Sequence, residues 1–169
     1  MSLDARMLYV NEQMIQTSAA VVDVGGSSIQ ITLFEKGKLV TTQQIKVGAV
    51  RMRSLLEGSG HSLNNYAKQI EEYLNKKLEV FRSMYLPGEI DTFILISEFG
   101  PALVKKVEKN GQDDRLVSSE KFMKLIQKLQ KKTLEEIAVE LNLLNDSEPL
   151  IVPSIVLYKS LVQNMNPRD

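Results

Sequence analysis

Val22-Asp23-Val24-Gly25-Gly26-Ser27-Ser28 is the stretch on which the fold turns. An acidic residue stands near the end of an apolar run, two glycines interrupt the run, and two hydroxyl side chains follow at once. Upstream, Ala19 to Val24 is short, continuous and rich in Val, the pattern of a strand buried on both faces. Downstream, Ser28 to Phe34 alternates: Ser28, Gln30 and Thr32 take one face, Ile29, Ile31 and Leu33 the other. Glu35-Lys36-Gly37-Lys38 reads as a turn, and Leu39 to Val47 returns to β-type composition. Residues 19 to 47 therefore predict three consecutive antiparallel strands, with the two glycines in the first connection.

Those residue types suit an anion. Glycines without Cβ let backbone N–H groups converge on a phosphate, and serine hydroxyls add donors. A carboxylate beside them can hold a hydrated divalent cation, because Mg²⁺ keeps its waters and takes few protein ligands. The segment is not a P-loop, which needs Gly-Lys-Ser/Thr opening a helix, nor a dinucleotide fingerprint. By itself it favours a plain Gly-Gly hairpin, since such turns are common between strands.

Further along, Gly48 releases the chain into a short helix over Ala49 to Leu56, and Ser62 is a candidate N-cap for the next helix. Leu63, Tyr66, Ala67, Ile70, Tyr73, Leu74, Leu78 and Phe81 recur at three- and four-residue steps, which predicts one long amphipathic helix over about 62 to 83. Phe93 to Ile96 reads as a second buried strand, expected at 92 to 96 beside the first. Helices follow after Gly100-Pro101, after Ser118 or Ser119, after a Thr133/Glu136 capping-box pattern, and from Pro153 to Met165. Asp4 to Met14 is expected to be a short helical entry, and Met1 to Leu3 read as residues left from expression.

Composition narrows the class. In 169 residues, 43% are hydrophobic and 25% charged, as in an ordinary globular domain, so one domain over 1–169 is expected. Basic and acidic residues both number 21, which leaves no global field to recruit nucleic acid or an acidic membrane. With no cysteine there is neither a disulfide framework nor a thiolate metal site. No apolar run approaches a membrane span and no signal-like N-terminus is present, so the chain reads as cytoplasmic. His61 has no second histidine to build a metal site with, and Lys105, Lys106, Lys109, Lys121, Lys124, Lys128, Lys131 and Lys132 lie at the helical spacing of a solvated surface.

Several segments in order resemble the Ppx/GppA phosphatases, a family of the actin-like superfamily. The resemblance rests on Asp23-Val24-Gly25-Gly26-Ser27-Ser28-Ile29-Gln30, on Gly48-Ala49-Val50-Arg51, on Leu3-Asp4-Ala5-Arg6, on Thr133-Leu134-Glu135-Glu136 and on Val152-Pro153. It implies an α/β fold, the RNase-H-like second half of such an enzyme, with a mixed sheet and helices on its faces. It implies release of the terminal phosphate from polyphosphate or guanosine pentaphosphate, with Mg²⁺, in a cleft between two halves. Carried over by position, Asp4 is the expected catalytic base. Gly25, Gly26, Ser27, Ser28 and Arg51 are the expected phosphate-binding residues, and Asp23 and Gln30 the expected metal site. The other reading of Asp4 is a frayed terminal charge, and Arg51 could instead pair with Asp23.

Three departures bear on chemistry. The family's first half is absent, so the chain is expected to be inactive without it. Gln30 stands where relatives have an acid and carries no charge to a cation. Ser97-Glu98-Phe99-Gly100 replaces a small, hydroxyl-rich loop, and Glu98 sets a negative charge where phosphate is bound in relatives. Asp4 is one methylene shorter than the matching Glu, and a shift of about 1 Å can cost on the order of a hundredfold in rate. The competing expectation is therefore a non-catalytic member that senses phosphate or nucleotide, or forms a homodimer through exposed helices. A sugar- or acetate-kinase relative is a third, less well matched by Gly48-Ala49-Val50-Arg51.

Overall fold

The computed structural model describes residues 17–57, 63–86, 88–107, 117–143, 148–165 and 167. The expected entry helix over 4–14, Asp4, His61 and the candidate N-cap Ser62 lie outside them. The three expected strands form as β1 (Ala19–Val24), β2 (Ile29–Glu35) and β3 (Lys38–Ile45). The β2–β3 connection is the two-residue turn Lys36-Gly37, both at positive φ (50° and 75°), a geometry whose twist matches that of the strands it joins. One irregularity interrupts β2–β3 pairing: Leu33 faces Thr41 while Phe34 faces Leu39, so Val40 bulges out of the edge strand.

After β3 come α1 (Ala49–Glu57) and the long α2 (Leu63–Tyr85), then β4 (Thr92–Ile96). β4 returns parallel to β1, Ala19 opposite Thr92 through Asp23 opposite Ile96, and completes a sheet of order β3-β2-β1-β4. Ser18 and Asp91 clasp the start of this pair: the Ser18 hydroxyl donates to Asp91 Oδ2 at 2.9 Å, and the Asp91 N–H donates to the Ser18 carbonyl at 3.0 Å. The expectation that β4 is fully buried is corrected. Each of its five residues is half-buried, because β4 is an edge of the sheet among the described residues, and an apolar run does not reveal whether a strand has one neighbour or two.

The remaining helices are α3 (Gly100–Val107), α4 (Ser119–Leu129), α5 (Leu134–Leu141) and α6 (Glu148–Met165). α6 begins five residues before the expected start and carries Pro153 inside it. It is buried on nearly every side, and it packs against α1, α2, α4 and α5. One apolar cluster joins Ala20, Val22, Ile29, Ile31 and Leu33 of the sheet to Ile70, Leu74, Leu78 and Phe81 of α2 and to Ile151, Ile155 and Leu161 of α6. At the contact of the two long helices, Lys159 donates to Glu71 at 3.0 Å and Asn164 to Asn75 at 2.9 Å. This packing braces the sheet from one face and leaves the β1–β2 loop at its end.

Candidate functional site: the β1–β2 loop

Gly25 to Ser28 link β1 to β2, and the link is closed by the Gly25 N–H donating to the Ser28 carbonyl at 2.9 Å. Gly25, Gly26 and Ser27 are exposed. The loop is also held from outside by α1: the Gly26 carbonyl accepts the N–H groups of Val50 (3.0 Å) and Arg51 (3.1 Å). The Gly25 carbonyl oxygen faces the same side, toward Gly48. All described peptide bonds are trans, so each N–H points opposite to the carbonyl of its own peptide unit. The amides of Gly26 and Ser27 therefore both point away from α1, and neither donates to another described residue. Two consecutive amides turned to one side are an anion-binding concavity in its simplest form.

Behind the loop, the register sets Asp23 opposite Gln30 and Gln30 opposite Gln44. Directly opposed residues share a sheet face, so these three polar side chains form a row across β1, β2 and β3. Gln44 Nε2 donates to the Ser28 hydroxyl at 2.9 Å, which orients that hydroxyl and leaves its own proton to give. Burial pushes the Asp23 carboxyl above its ordinary value of 3.8. No counter-charge opposes that shift, and no ion pair joins Asp23 to Arg51 among the described residues. Arg51 meets the loop through its main chain, while its side chain is exposed. Asp23 and Gln30 are thus brought together, the four loop residues stand above them, and Asp4 lies outside the described residues.

The donor set is compatible with Mg²⁺, which takes one or two carboxylates and fills the rest of its shell with water and phosphate oxygen. Asp23 is a half-buried carboxylate without a cation to offset its desolvation, and Gln30 adds an amide oxygen. No three His, Cys, Asp or Glu side chains stand together among the described residues.

Two participants escaped the sequence reading. Gln44 was one residue of a β-type run, and only the pairing across β2 brings it to Ser28; its parity with Gln30 was the available signal. Tyr158, buried on α6, hydrogen-bonds Ser97, Ser154 and the Phe99 main chain, and burial raises its hydroxyl pKa. Ser97 also accepts the Gly100 N–H at 3.1 Å, so the loop after β4 is tied to both α3 and α6, with Glu98 exposed.

The sequence matches the Ppx/GppA phosphatase family over residues 5–168. The chain belongs to the Ppx/GppA phosphatase family. Solved structures of similar fold include the Ppx/GppA phosphatase of Aquifex aeolicus in its type II variant, at TM-score 0.73 and 15% identity over 95% of this chain and 54% of that one. An exopolyphosphatase from Cytophaga hutchinsonii aligns at TM-score 0.73 and 15% identity, covering 90% of this chain and 51% of the other. An exopolyphosphatase-like protein aligns at TM-score 0.69 and 13% identity, with 92% and 52% covered. This Ppx/GppA chain spans about half the length of those structures, and the mixed sheet with flanking helices is the actin-like fold they share. No curated protein matches the sequence. Among the described residues, no helix is long and apolar enough to cross a membrane.

Proposed function

We propose that this chain is the phosphate-gripping half of a Ppx/GppA-type phosphohydrolase that releases the terminal phosphate of inorganic polyphosphate or guanosine pentaphosphate. The observation that supports the reading is the pair of outward amides at Gly26 and Ser27, aimed away from α1 and without an acceptor among the described residues. In this reading the two amides and the Ser28 hydroxyl receive oxygens of the transferring phosphoryl group. Donors set before the reaction stabilise developing charge without reorganisation. Asp23 would hold a hydrated Mg²⁺, with Gln30 as a neutral second ligand; when bound, the ion offsets phosphate charge. Asp4 takes the proton of the attacking water. The partner half supplies the opposing wall, in keeping with a chain half as long as the similar structures.

The lysine-bearing helices are the weaker alternative for the anion. Lys124 pairs with Glu120, and Lys128 and Lys132 both pair with Glu140, so much of their charge is already balanced. A titration of inorganic phosphate with Mg²⁺, followed by amide chemical shifts, tests the reading. The largest changes are expected at residues 25 to 28, and Gln30→Glu should strengthen the Mg²⁺ dependence. Changes confined to the lysines would sink it.

A second reading is favoured by two observations: the neutral Gln30–Gln44 pair behind the loop and the exposed Glu98 on the neighbouring β4 end. In it the chain binds phosphate or nucleotide weakly as a sensor and performs no hydrolysis. The two readings separate on phosphate release by the chain joined to its other half.

A further inference from the structure

Gly48 is buried where β3 gives way to α1. A Cβ built on it would stand 2.6 Å from the Gly25 oxygen and 2.5 Å from the Gly26 carbonyl carbon, and closer still to the Gly26 oxygen. All three obstacles are backbone, which cannot swing aside as a flexible side chain can. No positive φ asks for glycine here, since Gly37 is the described glycine with that conformation. Close approach of two backbones is the remaining reason for glycine.

The approach has a direction. It lets the first turn of α1 reach the loop, so that the Val50 and Arg51 N–H groups converge on the Gly26 carbonyl and the Gly25 carbonyl turns to the same side. Building on the phosphate-binding reading above, we propose that Gly48 is a positioning residue for the β1–β2 loop. By admitting α1 against two successive carbonyls, it holds both peptide planes with the Gly26 and Ser27 amides facing the phosphate side. Gly48 gives no donor to the ligand and acts only through these two peptides. A side chain at position 48 lifts α1 from the loop and frees both planes to rotate. The donor pair must then be ordered at the moment of binding, which weakens affinity without any contact to the ligand being removed.

The test is Gly48→Ala in the whole chain, read by amide hydrogen exchange, by amide shifts on titration with inorganic phosphate, and by the thermal midpoint. Exchange at Val50 and Arg51 is expected to accelerate at least tenfold, and phosphate affinity at Gly26 and Ser27 to fall at least fivefold, while amides of β1 and β2 keep their protection. Val50→Pro removes one of the two donors to Gly26 in a helix first turn, where proline is tolerated, and should speed exchange at Arg51 and weaken phosphate binding at Gly26 and Ser27. Val50→Ala keeps the N–H and should leave exchange at Arg51 unchanged. If Gly48→Ala does not fold, the Val50→Pro and Val50→Ala pair decides. Unchanged exchange and unchanged phosphate response in the variants overturn the proposal. A wild-type chain whose residues 25 to 28 ignore phosphate overturns the binding reading instead, and exchange at Val50 and Arg51 then decides alone whether Gly48 sets the loop.

Discussion

At the scale of single residues, Asp23 carries the sharpest expectation. Its carboxyl is pushed up by burial, so the folded state binds the proton more tightly than the unfolded chain does. A raised carboxyl contributes most at low pH, and that contribution is lost as pH rises through the folded pKa. Asp23→Asn should therefore raise the thermal midpoint at pH 7, with the advantage closing as the pH falls through the raised pKa and gone once it is below the unfolded value of 3.8. Mg²⁺ should raise the midpoint of the wild type and leave the variant where it was, because only a species that binds the folded state stabilises it. Thermal melts across pH, with and without Mg²⁺, check both, and equal Mg²⁺ responses would remove Asp23 from the site. The residue types of the loop were legible in the sequence, since glycine, serine and aspartate each have few reasons to be there together. The directions of the Gly26 and Ser27 amides were not, because they follow from α1, whose first turn is 24 residues downstream of the loop.

At the scale of elements, local chemistry was the best guide. Thr133 and Glu136 close the capping box the sequence predicted, the Thr133 N–H donating to Glu136 at 2.8 Å. Ser118, one of the two candidate caps, is the one that accepts the Lys121 N–H. What local pattern could not show is how α4 and α5 are joined. Glu140, half-buried on α5, takes Lys128 of α4 at 2.7 Å and Lys132 of the connection at 2.6 Å, and these partners hold its carboxyl down at about 2 from an ordinary 4.5. A depressed carboxyl stabilises the fold above its unfolded pKa, and that stability drains away as pH falls from 4.5 toward 2. Glu140→Gln should cost roughly 1–2 kcal/mol at neutral pH, because water screens the partly exposed lysines. The gap to wild type should shrink across that acid window in denaturant titrations. A constant gap would mean the amide loses packing rather than charge.

At the scale of the whole molecule, the proposed function depends on what faces the loop. The chain alone is expected to release no measurable phosphate from polyphosphate with Mg²⁺, because positioning and charge stabilisation both need an opposing wall. A colorimetric phosphate assay checks this, and turnover abolished by Asp4→Asn would show that one half suffices. By itself the sequence determined the three antiparallel strands, the long α2, the capped helices and the glycine-serine loop between β1 and β2. Each of those rests on periodicity or on residues adjacent in the chain, where the physics is short-ranged. Only the tertiary structure decided that β4 is a half-buried edge, that Gln44 reaches Ser28 across β2, that Tyr158 anchors the loop after β4, and that Gly48 is glycine so that α1 can touch Gly25 and Gly26. These depend on which distant segments become neighbours, and that choice is made by burial of the whole apolar cluster rather than by any local stretch of chain.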